Sequence, residues 1–146
     1  MARPSRAVGS ARPVRPFLDT NVLLYSVSND ARKAERCEAL LREGAIIGVQ
    51  VLNEFTNVAR RKFAMSWEEI DDTLYLIRQR CLVRDLTATI HDNARALAQR
   101  YQFNWFDALI VAAAVDAGSP VLFSEDMQHG LHVTPTLTIS NPFAVD

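Results

Sequence analysis

Residues 17–25, FLDTNVLLY, set an aspartate between two apolar runs. If its neighbours are buried, an acid in that position is costly, because an uncompensated carboxylate loses its hydration. Three further stretches repeat the pattern: VQVLNEFTNVA at 49–59 with Glu54, NWFDALIVAAA at 104–114 with Asp107, and VLFSEDMQHG at 121–130 with Asp126. Each reads as the end of a buried strand or as the core face of a helix. Two carboxylates brought to about 4 Å repel by about 4 kcal/mol at an effective dielectric near 20. Several gathered in one place therefore imply a bound divalent cation, raised pKa values, or both.

Outward from these stretches, short apolar runs alternate with longer helical patterns. That alternation predicts an α/β fold with a mainly parallel sheet covered by helices on both faces. The predicted strands are Val14–Asp19, Ala45–Val49, Leu82–Leu86, Val121–Ser124 and Leu137–Ser140. Helices are predicted over Ala31–Arg42, closed by Gly44, and over Gln50–Lys62. A Ser66/Glu69 capping box opens a third, through Arg80. Thr87–Tyr101 and Trp105–Ala117 follow, the last ended by Gly118 and Pro120.

On the second of these helices Val51, Glu54, Phe55 and Val58 share one stripe, so Glu54 lies on a core-facing side. Ligands of an open parallel sheet gather beyond the carboxyl ends of its strands. Asp19 ends the first predicted strand and Asp126 follows the fourth. Glu54 and Asp107 stand near helix N-termini, where the dipole favours negative charge. All four can converge on one edge. Trp67, Tyr75 and Trp105 are expected in the core.

With 146 residues and 49% apolar content, the chain supports one domain, assigned to residues 15–146. Residues 1–14 read as a flexible basic tail, since the first sixteen positions hold Arg3, Arg6, Arg12 and Arg15 and no acid. The tail lacks the apolar centre of a secretory signal, while an Arg-rich transit peptide stays open. No apolar stretch approaches the roughly 20 residues of a membrane span, so a cytoplasmic protein is expected. Without those four arginines, 12 Lys+Arg face 17 Asp+Glu. Such a body does not coat nucleic acid by bulk charge. A polyanion must be held by a metal and a local patch, for which Arg60, Arg61 and Lys62 are the best candidates, with Arg78, Arg80 and Arg84 second. A solvated helix end explains either group equally well. Cys37 and Cys81 are isolated and expected as reduced, buried thiols. His129 and His132 form an HxxH without the HExxH pattern and with Gly130 between them, which does not read as a zinc helix.

Each acid alone has an ordinary explanation. Asp19, with Thr20 and Asn21 after it, suits a helix N-cap; Asp107 suits a helix start, Asp126 a turn, and Glu54 a helix edge paired with a base. The constellation is more specific. FLDTNVLLY, VLNEF, FNWFDALIVAAA and LFSEDMQHG, with the closing ISNPF, resemble the PIN-domain family, especially the VapC-type toxin ribonucleases of VapBC toxin–antitoxin modules. The resemblance runs from about Pro16 onward in the family's order, and the basic tail lies outside it.

The resemblance implies a three-layer α/β/α sandwich and a metal-dependent endoribonuclease, the toxin of a type II toxin–antitoxin system. By matching motif, Asp19, Glu54, Asp107 and Asp126 are the four family acids, and Asn21 and Ser124 are supporting polar positions. Mg²⁺ or Mn²⁺ is the expected cofactor, with Asp19, Asp107 and Asp126 as ligands and Glu54 orienting the attacking water. The implied partners are an RNA substrate and a small antitoxin protein, in a homodimer or a hetero-oligomer. Two other readings stand beside this one: a housekeeping PIN nuclease of RNA processing, and a catalytically idle PIN scaffold binding protein or RNA. The four acids weigh against the scaffold, which would gain stability by replacing them with apolar residues.

Overall fold

The strand that organises the sheet is only two residues long. β1 (Phe17–Leu18) is fully buried and lies between β2 (Ala45–Gly48) and β4 (Val121–Phe123), parallel to both. The structure is a computed structural model that describes residues 15–144. The expected tail, residues 1–14, lies outside the described residues. β3 (Cys81–Arg84) continues the sheet beyond β2, while β6 (Leu137–Ser140) and then β5 (His132–Thr134) continue it beyond β4. The order is β3-β2-β1-β4-β6-β5, with only β5 antiparallel to its neighbour.

This order has a functional consequence. The chain steps outward from β1 through β2 to β3, then returns to place β4 on the other side of β1. Connections leaving the C-terminal ends of β1 and β4 therefore diverge and open a crevice between them. Asp19 follows β1, and Ser124–Asp126 follow β4.

The helices form where the apolar spacing predicts, with ends shifted by a residue or two: α2 (Ala31–Glu43), α3 (Val49–Arg61), α4 (Trp67–Arg80), α5 (Ala88–Tyr101) and α6 (Trp105–Asp116). Gly44 closes α2 at φ 94°, a conformation that favours glycine. Ser66 and Glu69 make the reciprocal capping box of α4. α6 is apolar on nearly every side, and its Ala108–Ala114 are all buried, as befits a helix inside the protein. No described helix is long and apolar enough to cross a membrane. Cys37 and Cys81 are buried free thiols, and burial lifts their pKa values to about 11 and about 12.

Some expectations need correcting. The first strand is shorter than Val14–Asp19 among the described residues, because Thr20–Leu24 turns at once into a short helix, α1. The third begins at Cys81 and ends at Arg84, before Asp85 and Leu86. β5 adds a strand that its three residues, HVT, were too few to signal. Trp67 and Tyr75 are not core residues, being 58% and 66% exposed. α4 turns Ile70 and Ile77 inward, which points Tyr75 away, and Trp67 stands at the helix's first position, past the end of that contact. Trp105 is half-buried, edge-on to His91 with ring centroids 5.2 Å apart.

Candidate active site

Asp19, Asn21, Glu54, Asp107 and Asp126 all line one cleft of about 340 Å³ at the crevice. Thr20, Leu24, Asn57, Val58 and Ile110 complete its wall, which contains no Lys, Arg or His. Ser124 lies beneath, fully buried.

Asp19 is the N-cap of α1, as its ordinary explanation holds, and is also the deepest acid, 4% exposed. Its Oδ1 accepts the Thr20 N–H at 2.7 Å; its Oδ2 accepts the Ser124 hydroxyl at 2.9 Å and Asn21 Nδ2 at 3.3 Å. Burial raises its pKa from 3.8 to about 7; the Ser124 and Thr20 hydrogen bonds oppose the rise, and the charges of Asp107 and Glu54 add to it. Three hydrogen bonds without a cation do not compensate this carboxylate.

Asn21 connects the two strand ends. Its Nδ2 also donates to Asp126 Oδ2 at 3.0 Å, and its Oδ1 accepts the Glu125 N–H at 3.2 Å. Ser124 adds a second connection, its hydroxyl oxygen accepting the Met127 N–H at 3.3 Å. Both supporting positions named by motif thus touch the acids directly.

The remaining two acids come from helices. Glu54, on α3, accepts the Thr20 hydroxyl at 2.6 Å on Oε1 and Gln50 Nε2 at 3.4 Å on Oε2. Asp107 stands in the first turn of α6, where Asn104 caps the helix by accepting the Asp107 N–H at 2.9 Å. Asn104 Nδ2 also donates to Asp107 Oδ2 at 2.9 Å. Burial, followed by the charge of Asp126, raises the Asp107 pKa, with Asn104 opposing and Glu54 adding.

Sequence reasoning missed Thr20, Gln50 and Asn104 as the partners of Glu54 and Asp107. Asn104 carried a signal, since an Asn three residues before an acid at a helix start is a capping pattern. It also missed a latch on the far side of the Asp126 loop. Glu125 turns away from the cleft, accepts the Tyr25 hydroxyl at 2.6 Å and pairs with Lys33. Lys33 Nζ lies 4.8 Å from the Tyr25 ring centroid and 5.3 Å from that of Phe143, in the ISNPF segment. Partial burial pushes the Glu125 carboxyl up, but the Lys33 and Tyr25 hydrogen bonds prevail and hold it below its usual range.

The cation candidates are outside the cleft wall. Arg60, Arg61 and Lys62 are exposed at the end of α3, and Arg60 is engaged with Trp67. Of the second group, Arg84 pairs with Asp116 at 3.0 Å, and Arg78 and Arg80 occupy the last turn of α4.

Among the described residues no three Asp, Glu, His or Cys side chains are drawn close enough to cage a metal ion by themselves. The acids instead surround an open, wettable space. Such a hard-oxygen set suits Mg²⁺, which keeps several waters and takes one or two carboxylates directly. Zinc, by contrast, favours a closed set of His and Cys ligands.

A mainly parallel sheet flanked by helices, with an acid-lined cleft at its switch point, defines an α/β fold. The PIN-domain family model matches residues 17–130, and the chain belongs to that family. No curated protein sequence matches the chain closely enough to count as a relative. Similar solved structures include a toxin–antitoxin complex from Klebsiella pneumoniae, at 17% identity and TM-score 0.68, covering 89% of this chain and 99% of that one. VapC20 of Mycobacterium tuberculosis, described as a sarcin–ricin-loop-cleaving toxin, is similar at 20% identity and TM-score 0.61, covering 76% and 91%. VapBC2 of Rickettsia felis, bound to a promoter DNA fragment, is similar at 20% identity and TM-score 0.62, covering 86% and 97%. At these identities the likeness establishes the fold.

Proposed function

We propose that the chain is a Mg²⁺- or Mn²⁺-dependent endoribonuclease, with residues 15–146 as its nuclease domain, and that it is the toxin of a type II toxin–antitoxin pair. One observation carries the reading: four acids from separate elements line a single cleft whose wall holds no cation. Membership of the PIN family and likeness to toxin structures support it.

Asp19, Asp107 and Asp126 would hold the ion, within a shell that keeps water. When bound, the ion supplies neutralising charge for the phosphate and a more acidic water. Glu54, fixed on both oxygens by Thr20 and Gln50, orients the attacking water and takes its proton. The water oxygen forms the new bond to phosphorus as the bond to the leaving ribose oxygen breaks, and that oxygen takes a proton from solvent water in the open cleft. Asn21 and Ser124 keep Asp19 aimed. The partners are RNA and a small inhibitory antitoxin, in a homodimer or a hetero-oligomer.

Purified protein incubated with unpaired RNA tests the reading. Cleavage is expected with Mg²⁺ or Mn²⁺, none with chelator, and none from Asp107→Asn with either metal. Cleavage that survives chelation or that substitution would sink it. For the toxin role, induced expression should arrest growth, and co-expression of a cognate antitoxin should relieve the arrest.

A further inference from the structure

The corner between α3 and α4 displays two aromatic side chains that packing does not explain. Trp67 is 58% exposed and Phe63 42% exposed. The corner is nevertheless firmly built. The Met65 N–H donates to the Ala59 carbonyl at 3.1 Å, the Lys62 N–H to Val58 at 2.8 Å, and Ser66 and Glu69 close the capping box. Arg60 lies over the Trp67 ring, its guanidinium carbon 4.7 Å from the centroid, and its Nη1 donates to the Met65 carbonyl at 2.9 Å. An indole is thus held by a cation while much of its surface faces water.

The α3 end of the corner carries the positive charge that a polyanion needs. Among the described residues Arg60, Arg61 and Lys62 take part in no ion pair. Arg61 follows Glu54 by seven residues, which at 3.6 residues per turn returns it to within about 20° of the Glu54 direction, about 10 Å further along α3. Asn57 and Val58, between them, line the cleft. Arg61 therefore extends the cleft side of the helix toward the corner. Of the acids opening α4, Glu69 is folded back on the Ser66 N–H. Glu68 and Asp72 point about 100° and 140° around the helix from Trp67, and Asp71 lies about 40° round and one turn further on. The basic charge thus lies on the α3 side of Trp67, while Glu68, Glu69, Asp71 and Asp72 carry negative charge along α4.

Resting on the nuclease reading, we infer that Trp67, backed by Arg60, is a stacking platform for an unpaired base of single-stranded RNA whose backbone passes Arg61 on its way into the cleft. Every base offers a π-face, so an exposed indole beside unpaired cations suits a flexible strand. A protein partner fits less well, since two aromatics among charges fall far short of the roughly 1,200–2,000 Å² of a stable interface. Tyr75 and Leu76, also exposed, lie two turns further along α4.

The test uses the full chain as Asp19→Asn in Mg²⁺, so that RNA is bound without being cut, and with Trp105→Phe, so that Trp67 is the only indole. A short unpaired oligouridylate should quench the Trp67 fluorescence to saturation, and a duplex of equal length should not. Trp67→Ala should weaken binding of the labelled strand about tenfold, and Trp67→Phe should retain most of it. Arg61→Ala should reduce the slope of log affinity against log salt by about 0.7. Circular-dichroism melting checks that each variant is folded. Absence of RNA binding, or binding without quenching and unchanged in folded Trp67→Ala, overturns the platform. So does a change confined to sedimentation, which would assign the corner to a second copy or another protein. The two readings fail separately: loss of the platform leaves metal-dependent cleavage by the native chain intact, whereas quenching without any cleavage by the native chain removes the nuclease alone.

Discussion

The two sides of the cleft are built on different plans. On the strand side Asp19 and Asp126 share Asn21 as a donor, and Asp19 takes two more hydrogen bonds, from Thr20 and Ser124. On the helix side Glu54 and Asp107 share nothing: Thr20 and Gln50 hold one, Asn104 the other. The strand side comes from adjacent parallel strands in fixed register, Leu18 opposite Phe123, so its donors are set by the sheet. The helix side depends on how α3 and α6 pack. A site of this kind keeps one buried, costly carboxylate rigid under three donors and holds each of the others with one or two.

The hardest way to break the contrast is to neutralise its deepest member. Asp19→Asn should reduce RNA cleavage at least about a thousandfold, the scale of losing a preorganised electrostatic group. Yet without metal at pH 8 it should stabilise the fold by about 2–4 kcal/mol, because a buried charge disappears; the upper figure is the interval from 3.8 to about 7 at 1.36 kcal/mol per pH unit. Asp107→Asn should match the loss of cleavage but gain less stability, its carboxyl being less buried. Urea titration beside an activity assay separates the two. Equal stability gains at both positions would abolish the proposed asymmetry.

The same asymmetry predicts a pH dependence. The folded Asp19 holds its proton to about pH 7, whereas the unfolded carboxyl releases it near 3.8. The folded state therefore binds more protons between those values, and stability falls as pH rises. In chelator the loss should run from about pH 4 to about pH 7 and then level off. Asp19→Asn should flatten most of it, leaving a smaller slope from Asp107, whose pKa is also raised. Added Mg²⁺ should stabilise more at pH 8 than at pH 5, since only the ionised acids bind it well. A metal-free protein more stable at pH 7 than at pH 4.5 would contradict the assignment.

Much of the strand side was legible in the chain, because its signals are local. Asp19 and Asp126 each follow an apolar run, and a carboxylate at the end of a buried strand needs explanation wherever it occurs. The long amphipathic helices were legible for the same reason: their periodicity runs over 13–14 residues. α1 and β5, at five and three residues, are too short to show a period. The hydrogen-bond partners were harder to see. Nothing in SED tells which acid faces the cleft; the fold decides, sending Asp126 to the wall and Glu125 to Lys33. Thr20 reaches Glu54 across 34 positions, a pairing only packing creates. Trp67 and Tyr75 misled because large aromatics favour cores, and only the facing of α4 shows where these two lie.

A milder cut removes one shared donor and one unshared donor. Asn21→Ala takes hydrogen bonds from Asp19, Asp126 and the Glu125 N–H together, so Mg²⁺ affinity and cleavage should fall about 10–100-fold, the usual scale for partners that orient ligands. Asn104→Ala disturbs Asp107 alone. It should cost about 1 kcal/mol of stability through the lost cap and a smaller loss of cleavage. Isothermal titration with Mn²⁺ and kinetics on one RNA compare the pair. If Asn104→Ala proved the more damaging to metal affinity, the helix side rather than the strand side would be the rigid half.

The smallest effect should come from the latch behind the Asp126 loop. Lys33 and Glu125 are partly exposed, so solvent screens their pair and Lys33→Met should shift the urea midpoint little. Its influence on the site is geometric. With Lys33 gone, Glu125 keeps only the Tyr25 hydroxyl, and the loop that carries Asp126 is held mainly by Asn21 and Ser124. Cleavage should drop a few-fold, less than the roughly 10–100-fold expected for partners that touch the ligands directly. Tyr25→Phe should do the same through the other half of the latch, and the double substitution should fall short of the product of the two, because both act on one carboxylate. Fully independent effects, measured as kcat/KM in a double-mutant cycle, would show that the latch steadies the fold without steering Asp126.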